Sequence, residues 1–129
     1  MAETAAPTKI THIGTVVIPV RDQEATLRFF QDTFGFEIRV DTTFGPGLRW
    51  IEVAPPGAQT TIAIAPLPEG SAAQVEISFA TDDAGADHAA LLPRGLDMDA
   101  ALLQFGPDVP PMFTFRDPEG HGFRVVERG

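Results

Sequence analysis

The sequence contains the same pattern twice, and this duplication constrains the architecture more strongly than any single residue does. The first copy is a β-rich apolar run that ends at Asp22, followed by an apolar stretch that ends at Gly35. The second copy has the same order, with Asp82 and Gly95 at the same separation. Aspartate is a favoured residue before a helix, and glycine is favoured after one. We therefore predict two strand–helix units that arose by internal duplication, with a ligand site at the seam between them.

The composition fits one compact domain. With 129 residues the chain can bury one core but not two independent ones. It has no cysteine, which excludes disulfides, a nucleophilic thiol, zinc fingers and iron–sulfur clusters. The formal charge of −9 repels phosphate backbones, so we expect no nucleic-acid partner. The sequence shows no apolar run of about 20 residues and no basic leader, so we expect no membrane span and a cytoplasmic location. Its preference for arginine over lysine favours a bacterial source.

Each half of the chain is predicted to have the order β-α-β-β-β. We expect a flexible tail over residues 1–9 and a single domain over 10–129, with module one at about 10–66 and module two at about 72–128. The strands of module one are predicted at 13–20, 37–42, 49–53 and 60–64, with a helix at 22–34. Those of module two are predicted at 75–80, 98–104, 112–116 and 123–127, with a helix at 84–93. The turn at 117–120, Asp-Pro-Glu-Gly, has the residues that a type I turn prefers.

The first strand of module two has two unlike faces. Large apolar residues occupy alternate positions, at Val75, Ile77 and Phe79, and are expected to pack under the helix. The residues between them are small or polar: Glu76, Ser78 and Ala80. This second face is therefore predicted to line either a wet cavity or an interface.

The doubled unit, the Phe-Phe-X₃-Phe-Gly-Phe run from Phe29 to Phe36 and the turn from Asp117 to Gly120 together resemble the vicinal oxygen chelate superfamily. That superfamily includes glyoxalase I, bleomycin-resistance proteins, fosfomycin-resistance enzymes and extradiol dioxygenases. The resemblance covers residues 10–128. It implies an α+β fold in which two βαβββ modules form a cupped mixed sheet, commonly in a dimer. We therefore expect a homodimer.

The resemblance also implies where a metal would be bound. The four ligand positions of metal-dependent members correspond here to Thr15, Ala63, Glu76 and Arg124. Ala63 has no donor atom, Thr15 has a weak neutral oxygen, and the Arg124 guanidinium repels a cation. We therefore expect no metal and no other cofactor. The fallback is a metal held by His12 and Glu76, which requires a shifted register in the first strand.

Glu76 and Arg124 are predicted to be cross-strand partners at the place where a metal would otherwise lie. The resemblance implies that the first and last strands of a module are neighbours. An arginine–carboxylate pair there would balance its own charge. The pair either orients a ligand or only holds the sheet together, and the sequence does not decide between these roles.

Three further residues are candidates for contact with a ligand. Trp50 is either a core residue or a flat platform for an aromatic or planar ligand. Glu52 is expected on the same face as Trp50, and Phe44 lies in a loop rich in Gly and Pro that could act as a lid. The full candidate binding set is Thr15, Trp50, Glu52, Ala63, Glu76, Ser78 and Arg124. The histidines His12, His88 and His121 lie in dissimilar predicted elements, which favours packing or solvent-facing roles.

The leading hypothesis is a metal-free protein that binds a small molecule in a cup, similar to the bleomycin-resistance branch. The second hypothesis is an enzyme, a lyase, isomerase or dioxygenase, that uses a divalent metal or Glu76 as a general base. The third is a module that binds a macromolecular partner and no small ligand.

Overall fold

The computed structural model describes residues 9, 12–72 and 74–127 of the chain. Most of the predicted tail, residues 1–8, lies outside the described residues, as do 10, 11, 73, 128 and 129. Module one contains β1 (Thr15–Val20), α1 (Gln23–Arg28) continued by a π-helical turn (Phe29–Thr33), β2 (Glu37–Thr43), β3 (Arg49–Ala54) and β4 (Thr61–Pro66). Module two contains β5 (Glu76–Thr81), α2 (Ala84–Leu91) continued by a 3₁₀ turn (Leu92–Arg94), β6 (Asp97–Met98), β7 (Met112–Arg116) and β8 (Gly122–Glu127). No helix in these described ranges is long and apolar enough to cross a membrane.

The eight strands form two four-stranded sheets with the same topology. Sheet one has the order β1-β4-β3-β2, and sheet two has the order β5-β8-β7-β6. In each sheet the first and last strands of the module pair in parallel, and the other pairs are antiparallel. The predicted α+β fold of two βαβββ modules is therefore confirmed.

The two helices begin at aspartate caps, but the second cap is one residue later than predicted. Asp22 accepts a hydrogen bond from the backbone N–H of Ala25 at 3.0 Å. In module two the cap is Asp83, which accepts from the N–H of Ala86 at 2.9 Å, and not Asp82. The reason is that β5 stays paired with β8 as far as Thr81, opposite Glu127, so that Asp82 links the strand to the cap while α2 still begins at Ala84 as predicted.

The second predicted strand of module two, at 98–104, is much shorter than expected. β6 contains two residues, and the chain touches β7 again through a single bridge between Leu103 and Met112. Asp99 explains the break, because its carboxylate accepts hydrogen bonds from the N–H and the hydroxyl of Thr114 at 2.8 and 2.9 Å. The N–H of Thr114 is thus bonded to the side chain of Asp99 where the ladder would use a backbone carbonyl.

One hydrophobic core joins the two modules. Phe30 in the π-helical turn after α1 packs with the inner face of sheet one and also meets Phe123 on β8, with ring centroids 5.4 Å apart. Successive residues of a strand point to opposite faces, so each sheet also has an outer face directed away from this shared core. The outer face of sheet one contains Trp50 and Glu52, and that of sheet two contains Glu76 and Arg124.

Candidate functional site

A hydrogen-bonded chain crosses the outer face of sheet one. The indole N–H of Trp50 donates to Glu52 Oε2 at 2.8 Å, and the hydroxyl of Thr61 donates to Glu52 Oε1 at 2.6 Å. The oxygen Oγ1 of Thr15 lies 3.0 Å from Oγ1 of Thr61. The register brings these residues together, because Thr15 pairs with Thr61 and Ala63 pairs with Glu52. Four of the predicted binding residues, Thr15, Trp50, Glu52 and Ala63, are therefore neighbours.

Glu52 is held as a carboxylate by these contacts. The hydroxyl of Thr61 and the indole N–H of Trp50 lower the pKa of Glu52, and partial burial opposes this effect without reversing it. Both carboxylate oxygens accept a hydrogen bond, so Glu52 fixes the plane of the indole ring. Thr61 was not among the predicted residues. Its position two residues before Ala63 on the same strand is the signal that could have found it, since such residues share a face.

Trp50 borders an apolar cavity beside the outer face of sheet one. The ring centroids of Trp50 and Phe44 are 6.5 Å apart, and Phe44 is 70% exposed. The cavity has a volume of about 530 Å³. Its apolar lining consists of Phe44, Leu48, Trp50, Pro66, Leu67 and Pro68. Trp50 is half-buried on the face opposite Ile51 and Val53, so the core alternative does not describe it.

The charged edge of this cavity is already neutralised. Arg49 donates to both carboxylate oxygens of Asp41 at 2.9 Å and to Glu24 at 2.9 Å. The guanidinium lowers the pKa of Asp41, chiefly through these hydrogen bonds. A ligand in the cavity would therefore meet an apolar wall with a fixed ionic edge.

The outer face of sheet two is polar. Nη2 of Arg124 lies 3.4 Å from Oε1 of Glu76, on the face that also contains Ser78. Gly122 lies opposite Glu76 and leaves room for its side chain. A cavity of about 400 Å³ adjoins this face and includes Glu76, Thr114 and Arg116 in its lining. Both side chains of the pair are largely exposed in the single chain, at 45% for Arg124 and 77% for Glu76.

The four positions that correspond to metal ligands do not meet within the single chain. Thr15 and Ala63 lie on the outer face of sheet one, whereas Glu76 and Arg124 lie on the outer face of sheet two. His12 is exposed and precedes β1. Across residues 12–72 and 74–127, no group of three His, Asp or Glu side chains is arranged to hold a metal ion. The residues present on either face do not form a donor set for a divalent metal.

Two of the three histidines have packing roles. Nε2 of His88 lies 2.9 Å from the carbonyl oxygen of Asp99, and its ring meets Phe113 edge-on. His121 is buried at the junction of the two modules, where Nδ1 accepts from the N–H of Val75 at 3.1 Å. These contacts place neither histidine on the outer faces that contain the candidate residues.

The chain is similar to known proteins over nearly its whole length. Residues 9–125 match the sequence pattern of the Glyoxalase/Bleomycin resistance protein/Dioxygenase superfamily. The chain is 31% identical over 123 residues to the uncharacterized protein YetH of Bacillus subtilis (strain 168), which covers 92% of this chain and 99% of YetH.

Two solved structures extend this similarity to three dimensions. A member of the same superfamily from Sphaerobacter thermophilus DSM 20745 is 31% identical with a TM-score of 0.83, over 94% of this chain and 100% of that one. TnmS3, an antibiotic binding protein from Streptomyces sp. CB03234, is 28% identical with a TM-score of 0.80, over 95% of this chain and 99% of that one. The similarity thus includes both modules.

Proposed function

Because the chain belongs to the Glyoxalase/Bleomycin resistance protein/Dioxygenase superfamily, we propose that it binds a small planar molecule against Trp50 without a metal. The observation that carries this proposal is the aromatic wall formed by Trp50 and Phe44 beside a cavity of about 530 Å³. A cavity of that size is typical of ligand pockets. The description of TnmS3 as an antibiotic binding protein supports a ligand of the same general kind.

The wall is suited to stacking. The hydrogen bond from Trp50 to Glu52 holds the indole ring in one orientation before a ligand arrives. An offset-stacked or edge-on aromatic pair contributes about 0.5–1.5 kcal/mol beyond its buried area. Phe44 lies in the loop between β2 and β3 and is exposed, so it can close over a ligand as a second ring. Glu52 and the Thr15–Thr61 pair would supply polar contacts at the edge of the ligand.

We propose that a second copy of the chain completes the cup. The outer faces of the two sheets of one chain are on opposite sides of the shared core, so sheet two of a partner would have to cover sheet one. Large apolar side chains left exposed in the described chain support such an interface: Ile13, Val17, Phe44, Leu48, Phe105 and Val109. Glu76, Ser78 and Arg124 of the second copy would then form the polar wall opposite Trp50. Light scattering at micromolar concentration should give a dimer, and a monomer would contradict the cup.

Binding can be tested with a planar anthraquinone compound, doxorubicin, and with bleomycin as a bulky comparison. Quenching of the fluorescence of Trp50, the single tryptophan, should report saturable binding. By calorimetry, Trp50→Leu and Phe44→Leu should each weaken binding of the planar compound about tenfold, corresponding to about 1.4 kcal/mol. Leu92→Ala, an exposed apolar residue in the 3₁₀ turn, is the matched control and should leave affinity unchanged. Equal affinity in all four proteins would overturn the proposal.

Elemental analysis separates this function from the enzyme alternative. Protein purified without chelator should contain well below one equivalent of zinc, nickel, manganese or iron. One equivalent that is lost in Glu76→Gln would instead favour a metal-dependent lyase or dioxygenase. The bacterial sources of the similar proteins support a bacterial origin, and a cytoplasmic location remains part of the proposal.

A further inference from the structure

We infer a second small-molecule site, at the junction of the two modules, that takes a compact aromatic amine. The structure contains a cavity of about 370 Å³ there, separate from the two outer faces. Module one contributes Thr33, Phe34, Phe36 and Pro55, and module two contributes residues of β5, α2 and β8. A volume in this range accommodates a ligand of one or two rings.

The walls of this junction cavity are aromatic rings packed against one another. The rings of Phe36 and Phe79 meet edge-on, with centroids 5.7 Å apart and an interplanar angle of 77°. Phe79 stacks on Phe123 with centroids 5.6 Å apart and an angle of 4°. Phe36 and Leu91 are buried, whereas Phe34 and Phe79 are partly exposed toward the cavity that they line. A flat apolar ligand would extend this cluster by one more ring.

A single carboxylate gives the cavity its chemical preference. Asp87 of α2 is half-buried in the lining, and the hydroxyl of Thr81 donates to its Oδ2. This hydrogen bond orients the carboxylate and leaves Oδ1 for a ligand. In the described parts of the chain Asp87 makes no salt bridge. An apolar cavity with one oriented carboxylate favours an aromatic ring that bears an ammonium group.

The net charge of the whole chain favours the same class of ligand. Arg94, one turn after Leu91, donates to the carbonyl oxygen of Asp32 at 3.1 Å and so spans the module junction. Arg94 does not line the cavity. The whole chain has a formal charge of −9, which attracts a cation and repels an anion of the same shape.

This site is independent of the proposed cup. Trp50, Glu52 and Thr61 do not line it, and neither do Glu76 and Arg124. Ligands of the two sites should therefore shift the NMR signals of different residues, which distinguishes the sites.

The test uses the full chain, labelled with ¹⁵N and titrated with tryptamine, in which an indole ring bears an ammonium group. Amide signals of Ala80, Thr81, Asp87 and Ala90 should shift saturably. Indole-3-propionate has the same ring with a carboxylate, and it should bind at least about tenfold more weakly. Shifts confined to the Trp50 indole N–H and sheet one, or no saturable shift at millimolar tryptamine, would overturn the inference.

Two variants examine the charge and the cavity separately. Asp87→Asn removes the charge while its side-chain oxygen still accepts from Thr81, and it should weaken tryptamine binding about tenfold and abolish the preference over the anionic analogue. Ala90→Phe fills the cavity from the exposed side of α2 and should eliminate the shifts. Trp50→Leu is the control and should leave tryptamine binding at this site unchanged. Unchanged affinity in both test variants, with their folds verified by thermal melting, would contradict the inference.

Discussion

Nε2 of His121 lies 2.8 Å from the carbonyl oxygen of Pro19, near the opposite end of the chain. Because Nδ1 accepts a hydrogen bond from Val75, the ring proton is on Nε2 and is donated to Pro19. His121 is 1% exposed. One neutral imidazole thus joins the end of β1, the segment before β5 and the turn before β8.

His121→Ala should destabilise the protein by about 2–4 kcal/mol, because it leaves buried backbone groups unpaired and a cavity behind. His88→Ala is a matched control, because the ring of His88 contacts β7 and the segment after β6, both within module two. This substitution should lower the free energy of unfolding by less than His121→Ala does. Urea unfolding of the two variants gives the comparison. An effect of His121→Ala no larger than that of His88→Ala would show that the module junction does not depend on this residue.

Asp117 should make stability depend on pH in the direction opposite to most carboxylates. Burial raises the pKa of Asp117, although the backbone N–H groups of His121 and Glu119 donate to its Oδ1 and partly offset this effect. The folded state therefore binds the proton more tightly than the unfolded state does. The contribution of protonated Asp117 to the free energy of unfolding is fully present below the unfolded-state pKa of about 3.9 and is lost as pH rises through the folded-state pKa.

The variant Asp117→Asn removes this titration and keeps the accepting oxygen. Urea unfolding at a series of pH values should show that the stability of the natural protein relative to the variant decreases as pH rises above about 4. If the stability of the natural protein relative to Asp117→Asn is constant or increases as pH rises, the pKa of Asp117 is not raised by folding.

Gly35 ends the helical segment of module one with a φ of +69°, a conformation that favours glycine. A Cβ there would meet no atom within 4 Å, so the cost of Gly35→Ala is backbone strain alone, roughly 1–2 kcal/mol. Gly14→Ala is the matched control, because Gly14 has the same open surroundings without a positive φ. Thermal or urea unfolding of both variants should show a loss for Gly35→Ala alone. Equal free energies of unfolding for Gly35→Ala and Gly14→Ala would argue that the positive φ of Gly35 is not needed to end the helical segment.

The elements that could be predicted from the sequence are those whose signals are local. The caps at Asp22 and Gly35 and the alternation of β5 depend on neighbouring residues, and the structure has them as expected. Asp82 and Asp83 are both good caps by local criteria, and pairing of Thr81 with β8 decides between them. Such long-range pairing is not encoded in a short pattern.

In the candidate site, too, the features that could be predicted are the local ones. Glu52 and Trp50 could be assigned to one face of the strand because they are two residues apart. The sequence did not decide whether that face is the core face, since both Trp50 and Ile51 are large side chains that can be buried. The relation between the modules depends on Phe30 meeting Phe123, a contact between distant segments. The duplication pointed to a ligand site at the seam between the modules, but no local motif could have indicated which side chains line the junction cavity.

The Glu76–Arg124 pair should contribute little to the stability of the isolated chain. Its atoms are 3.4 Å apart, but both side chains are largely exposed, and such pairs typically contribute about 0–1 kcal/mol. A double-mutant cycle with Glu76→Gln and Arg124→Gln should therefore give a coupling below about 1 kcal/mol at low protein concentration. The bidentate pair of Arg49 and Asp41, with two hydrogen bonds of 2.9 Å, is the comparison. A coupling that increases with protein concentration would indicate that a second copy covers the pair.

Protonation of Glu52 should be visible in the fluorescence of Trp50, the single tryptophan of the chain. The hydrogen bonds from Thr61 and Trp50 lower the pKa of Glu52, so its carboxylate stays ionised at pH values below the usual glutamate pKa of about 4.3. The stability that these bonds supply is present above that value and is lost as pH falls through the lower folded pKa. Acidification should therefore change the Trp50 emission with a midpoint below about 4.3, while circular dichroism verifies that the fold persists. In Glu52→Gln the amide still accepts from the indole but does not titrate, and the transition should disappear. A midpoint at or above the usual value, or the same transition in Glu52→Gln, would show that another group controls the environment of the proposed stacking platform.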